Sequence, residues 1–372
     1  MKKNHITAIA FLLLAAILAT LAAVEFIGKR EKDKLFPAEG LTRVGKLSDY
    51  LHNLKGSNGD TDIYFFDSGV PGGTVLLLGG THPNEPSGYL SAVLLLENIK
   101  VTTGRMIVIP QACHSGYTCT DPMEGLPADF TLDTRSGKRK FSFGSRVGNP
   151  LDQWPDPEVY LHYPSGQKLS GFETRNLNRS YPGRADGTFS ERVGYAIVEL
   201  IKREKVDLAF DLHEAAPEIP IIKAIIVHEK AKELGAMAVL NLEFENLKYA
   251  LEISPKTFRG LSHREWGDST SVLPVLMETS NPIQGRLRGR TNEEMIIYGV
   301  DKNYKTALES GKLRIEYDPD GEPLKIRVAR HIEGFRAVVA AYNEMNPEKE
   351  LLFENIPGFT EISESGLKNY LY

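Results

Sequence analysis

The chain has 372 residues, 41% hydrophobic and 25% charged, with a net charge of −5. These are the proportions of a folded globular protein with ample apolar material for a core, needing no disulfide or metal staple for stability. The charge balance excludes a basic nucleic-acid-binding face, yet a few placed arginines suffice to bind an acidic substrate.

The first element is an apolar run, Ile6 to Gly28, interrupted only by Thr and by Glu25. It is long enough to cross the roughly 30 Å hydrocarbon core of a bilayer as a helix. Lys2 and Lys3 precede it, as in an exported chain. The run exceeds the apolar core of a secretory signal, about 7–15 residues, and no clean A-x-A site follows. An uncleaved signal anchor is the preferred expectation, with a cleaved signal as the alternative. Lys29, Arg30, Lys32 and Lys34 come next, and read literally the positive-inside rule would keep that side cytoplasmic. The very short tail led by two lysines favours the opposite, a membrane-anchored or exported domain on the extracytoplasmic side. Residues 1–34 are thus expected to be anchor and charged linker, and 35–372 one folded domain.

Within that domain a first helix is expected around Val44 to Leu54. Asp62 to Phe66 reads as a short strand. Thr74 to Leu78 is a continuous apolar run ending in Gly79-Gly80, as in a strand buried on both faces. Pro86 suits the first turn of the helix that follows it, and Met106 to Ile109 is the next strand. From Gln111 to about Gly187 the chain is rich in Gly, Pro and aromatic residues, a long segment of the kind that is folded around a function. Cys113 and Cys119 lie within it, close enough to pair in an oxidising compartment and free in a reducing one. Ser190 is the expected N-cap of a helix reaching Glu204, with Val193, Ile197, Leu200 and Ile201 on one face. Val206 to Leu212 and Ala224 to Val227 are strands, Glu229 to Leu240 a helix, Leu273 to Met277 a strand. A long helix near the end carries Ile332, Phe335, Val338, Val339 and Tyr342. This alternation predicts an α/β fold: a mixed, largely parallel sheet covered by helices on both faces.

Ligands bind such sheets at the carboxyl ends of the strands, and three of those ends carry chemistry. One strand runs into THPNEPSG, bringing His82 and Glu85. VDLAFDLHEA ends on His213, and LPVLMETS on Glu278. Two His and two Glu meeting at one edge are what a catalytic zinc needs: three ligands (His82, Glu85, His213), an open position and a free carboxylate. Imidazole with carboxylate suits Zn²⁺. Asp211, two residues before His213 on the same strand face, either orients that ligand or binds backbone amides.

GGTHPNEPSG, NLNRSYPGRADGTFSER, DLHEA and METS, in that order across Val75 to Ser280, resemble the zinc carboxypeptidase superfamily, in particular its succinylglutamate desuccinylase and aspartoacylase branch. The resemblance implies that Asn178 and Arg179 bind a substrate carboxylate, that Glu278 is the general base and acid, and that Arg175 polarises the scissile carbonyl. It implies a zinc-dependent hydrolase of amide bonds, metallocarboxypeptidase-like and acting on a peptide or small molecule with a free carboxylate. An N-acyl amino acid deacylase is the alternative, and a non-catalytic binding protein on the same fold a second. Two departures stand out. Pro83 replaces a usual glycine, and the peptidases' tyrosine before the catalytic glutamate has no clear counterpart, Tyr249 and Trp266 being poor matches.

Overall fold

The computed structural model describes residues 2–121, 124–219, 221–313 and 317–372. The chain divides into two compact units, one ending at Lys34 and the other Leu35–Tyr372. In the first, helix α1 (Lys2–Gly28) contains a stretch, Asn4–Gly28, of mean hydropathy 2.6, apolar and long enough to cross a membrane or to act as a signal.

The second unit is built on an eight-stranded sheet. Its strands are β1 (Leu41–Lys46), β2 (Asp62–Asp67), β3 (Thr74–Leu78), β4 (Arg105–Ile109), β5 (Leu208–Ala215), β6 (Ala224–Val227), β7 (Ala250–Ile253) and β8 (Leu273–Ser280), in spatial order β1-β2-β4-β3-β5-β8-β6-β7. The central four, β4, β3, β5 and β8, run parallel. β2 and β6 join them antiparallel on either side, so the sheet is mixed.

Alternation along the central strands feeds two cores. Val75, Leu77, Phe210, Leu212 and Met277 face α2 (Pro86–Asn98), α4 (Lys232–Phe244) and the long α6 (Leu324–Met345). Leu76, Leu78 and Ala209 face α3 (Phe189–Arg203), and Trp266 of α5 (Ser262–Ser269) lies in that second core. Burial on both faces explains why these strands read as unbroken apolar runs.

The expected helix at Val44 to Leu54 is instead β1 followed by two short 3₁₀ turns, Leu47–Asp49 and His52–Leu54. Side chains captured the backbone locally: Asp49 accepts from the Lys46 amide and Asp60 from that of Ser48, the competition that disfavours helix interiors. Helix α3 begins earlier than expected. Its N-cap is Thr188, whose hydroxyl accepts from the Glu191 amide while the Glu191 carboxylate accepts from the Thr188 amide, a capping box.

Two glycines fix how β3 turns into α2. Gly80 has φ +63°, a left-handed conformation that glycine adopts without strain. A Cβ on Gly88 would run into the Leu212 carbonyl of β5, so α2 lies against that strand only because residue 88 has none. This close approach brings the turn carrying His82 and Glu85 to the end of β5.

Candidate metal and hydrolytic site

β5 and β8 pair in parallel register with His213 opposite Glu278 and Asp211 opposite Leu276. Asp211 also pairs with Leu78, the last residue of β3. His213 therefore lies just beyond the point where β3 ends, and the turn after β3 drops His82 and Glu85 beside it.

The ligand atoms converge tightly. His82, Glu85 and His213 are buried, and one donor atom of each lies within 4.8 Å of the others. Glu85 Oε1 is 2.6 Å from His82 Nδ1, and Glu85 Oε2 is 2.8 Å from His213 Nδ1. The outer nitrogens are fixed from behind. Asn176 Oδ1 lies 2.9 Å from His82 Nε2 and also accepts from the Asn178 amide, while the Asn176 amide nitrogen donates to Glu173. Asn176 thus presents an acceptor, so Nε2 of His82 carries the proton and Nδ1 the lone pair. Asp211 Oδ2 stands 2.9 Å from His213 Nε2, at ion-pair distance though off the line of a hydrogen bond. Its other oxygen accepts from Thr81. Carboxylates and amides behind imidazoles are how proteins orient metal-binding histidines.

Positive charge between these acceptors is favourable. Burial, helped by Arg146, holds His82 down to about 4 against the pull of Glu85, so the ring is neutral. Its lone pair faces a carboxylate and, at 3.2 Å, the His213 Nδ1. Burial opposes ionisation of Glu85 too, yet the two imidazoles hold its carboxyl well below the usual range. Acceptors pointed at acceptors repel unless positive charge lies between them. With protein atoms alone, a proton on His213 supplies it: burial works against that proton, but Asp211 and Glu85 hold it well above the ordinary imidazole range. A divalent ion meets the same demand with the same three atoms, and the set of two imidazoles and a carboxylate fits zinc.

Glu278 stands across the strand gap from His213. Its residue is half-buried and lines the cavity, while its Oε2 is shielded and has no hydrogen-bond partner. Burial, with Glu85 adding to it and His213 opposing, pushes its carboxyl up to about 8. The cavity in front, about 470 Å³, is lined by His82, Glu85 and Glu278 together with Arg146, Asn178 and Arg179.

The long segment between β4 and α3 supplies those three residues. It folds as two antiparallel ribbons, Asp129–Thr134 with Gly137–Ser142 and Val159–Leu161 with Lys168–Ser170, and two short 3₁₀ turns, Gly171–Arg175 and Leu177–Arg179. Asn178 Oδ1 accepts from the Ser262 amide. Arg179 lies over the Phe258 ring at 4.8 Å and is lowered to about 10 by burial and by Arg146, which leaves it charged. Arg175 is not brought to this group. Its guanidinium forks onto Asp156 at 2.7 and 2.8 Å and donates to the Gly148 carbonyl, and it does not line the cavity. Arg146 does, donating to Glu85 Oε1 at 2.9 Å and to Gln284 at 2.8 Å.

Glu214 turns to the opposite sheet face and pairs with Arg327 at 2.6 Å. Tyr249 donates to the Arg330 carbonyl and Trp266 packs on Tyr181. No tyrosine is among the cavity-lining residues described. Cys113 and Cys119 are not joined by a disulfide, and burial pushes Cys113 up to about 11.

No family model matches the chain, and no curated protein matches it in sequence. Solved structures do. The chain is similar to a succinylglutamate desuccinylase from Silicibacter, at 16% identity over 59% of this chain and 54% of that one, TM-score 0.36. It is similar to the product-bound ectoine utilization protein EutE (DoeB) of Ruegeria pomeroyi, at 19% over 70% and 63%, TM-score 0.37. It is also similar to the tripeptide-bound cell shape determinant Csd4 of Helicobacter pylori, at 12% over 83% and 60%, TM-score 0.46. The match spans less than two thirds of the length of each.

Proposed function

We propose that this chain is a zinc-dependent hydrolase of amide bonds that acts, like a metallocarboxypeptidase, on a substrate with a free carboxylate. One observation carries the reading: three buried donor atoms that converge within 4.8 Å of one another sit beside an unpartnered carboxyl, in a cavity that also holds an arginine without a carboxylate partner. His82, Glu85 and His213 would hold the ion. Bound there, zinc would supply Lewis acidity, activating water and polarising a carbonyl.

The remaining roles belong to side chains. Glu278 takes the proton of the attacking water and returns it to the leaving nitrogen, acting as general base and then general acid. Arg179, with Asn178 beside it, receives the substrate carboxylate in a charge-assisted pair. The carbonyl-polarising role that the sequence resemblance gave to Arg175 would require its fork to leave Asp156. A deacylase of N-acyl amino acids would use the same four groups; a non-catalytic binding protein would have no use for Glu278. The anchor helix would tether the domain to a membrane, with the site on the extracytoplasmic side.

The test is metal analysis with a substrate panel. Residues 35–372 should hold close to one zinc per chain, and His82→Ala or His213→Ala should lose most of it. Hydrolysis of short peptides or acylamino acids should vanish with a chelator and return with zinc. Full zinc occupancy in His213→Ala removes that residue from the site, and turnover untouched by chelation ends the zinc reading.

A further inference from the structure

Resting on the hydrolase reading, we infer that the residue whose carboxylate meets Arg179 carries an apolar side chain, seated on a wall formed by Ile226, Leu276 and Ile221. Leu276 precedes Glu278 by two positions, so both face the same side of β8, about 7 Å apart along the strand. On β6, Ile226 pairs with Leu276 and Ala224 with Glu278. Ala224, Ile226, Leu276 and the adjoining Ile221 form a small apolar group separate from both main cores. Ile221, Ile226 and Leu276 all line the cavity, and Leu261 and Phe258 line it as well. Phe258 is the ring beneath Arg179, so the carboxylate-binding group stands at the rim of apolar surface.

The charges point the same way. The cations lining the cavity are Arg146 and Arg179, against Glu85, Glu252 and Glu278, while Glu214 at its edge is already answered by Arg327. Arg146 is committed to Glu85 and Gln284, which leaves Arg179 for one carboxylate. A second carboxylate, on an aspartyl or glutamyl side chain, would be desolvated against Leu276 and Ile226 with no cation to receive it. An aliphatic or aromatic side chain loses nothing there and gains burial. A buried charge left without a partner typically costs about 10²-fold or more, so the preference over acidic residues should be of that order.

The experiment uses the full chain in detergent with added zinc and a matched series of acyl dipeptides ending in Leu, Phe, Asp or Glu. The expected kcat/KM is at least about 100-fold higher for Leu and Phe. In parallel, 3-phenylpropanoate and succinate are titrated calorimetrically into Glu278→Gln, which reads the wall without turnover; the first should bind and the second should not. Ile226→Lys should move the preference towards Asp and Glu by tenfold or more. Should that variant misfold, the two measurements on the unaltered wall decide alone. Cleavage that favours Asp or Glu overturns this inference and leaves the hydrolase reading standing. Arg179-dependent binding of 3-phenylpropanoate without cleavage of any amide keeps the apolar wall and removes the hydrolase. Tighter binding of succinate overturns the wall in either case.

Discussion

Two carboxylates at the same edge of the sheet have opposite fates. Glu214, on the face covered by α6, is fully buried and answered: Arg327 donates to one oxygen at 2.6 Å and Asn281 to the other at 2.9 Å. Glu278, on the other face one strand away, has a shielded oxygen with no donor. Burial raises both above the ordinary carboxylate range. A satisfied buried pair ties α6 to the end of β5. An unsatisfied carboxyl is a cost that a fold built for stability alone would have no reason to keep, and in the proposed reaction it is the base. Burial alone therefore does not set these two carboxyls apart; the missing partner does.

Three substitutions break or sharpen that contrast. The largest effect is expected at Glu278, where Gln keeps the shape but cannot take the proton. Turnover should fall by about 10²- to 10⁴-fold, with melting temperature and zinc content nearly unmoved. Turnover within a few-fold of the parent at equal zinc loading would remove Glu278 as the base.

Arg327→Met should do the reverse. It strands Glu214 in the core and should cost about 3–5 kcal/mol in urea unfolding, the usual result of removing one partner of a buried pair. Adding Glu214→Gln should recover a good part of that loss. A single mutant as stable as the parent would show that Glu214 is satisfied without its arginine.

Arg179→Lys is the mildest of the three. The charge remains while the planar fork is lost, so kcat/KM should drop by about 10- to 100-fold on substrates with a free carboxylate, as for a charge-assisted hydrogen bond. Amidated substrates should be barely affected. An equal loss on both would assign Arg179 to folding instead.

Much of this arrangement was legible in the chain because it lies in strands buried on both faces. Thr74–Leu78 and Ala224–Val227 have the expected bounds, since an apolar run closed by Gly or His leaves little choice of register. The meeting of His82, Glu85 and His213 was legible for the same reason: each sits at the end of such a run. Asn176 and Arg146 were not. Both come from the long segment after β4, where turns and ribbons are set by tertiary contacts and carry no periodicity to read. Arg175 illustrates the difficulty, being four residues from Arg179 yet drawn aside by Asp156. Strand β7 and helix α5 were missed because β7 is a short edge strand and α5 is two turns long.

The close approach of α2 to β5 at Gly88 has a consequence for how the proposed ion would be acquired. His82 and His213 are 131 residues apart in sequence and meet only once β3 and β5 are paired and the helix after β3 has settled on the Leu212 carbonyl. A contact of such separation forms after the closure of a long loop. In a zinc finger, ligands a few residues apart let the metal direct folding. Under the proposed reading the order would be inverted: the polypeptide would find its topology unaided, and the ion would enter a finished edge. Metal uptake would then report completed folding, and a residue larger than glycine at position 88 would lower zinc affinity without touching a ligand.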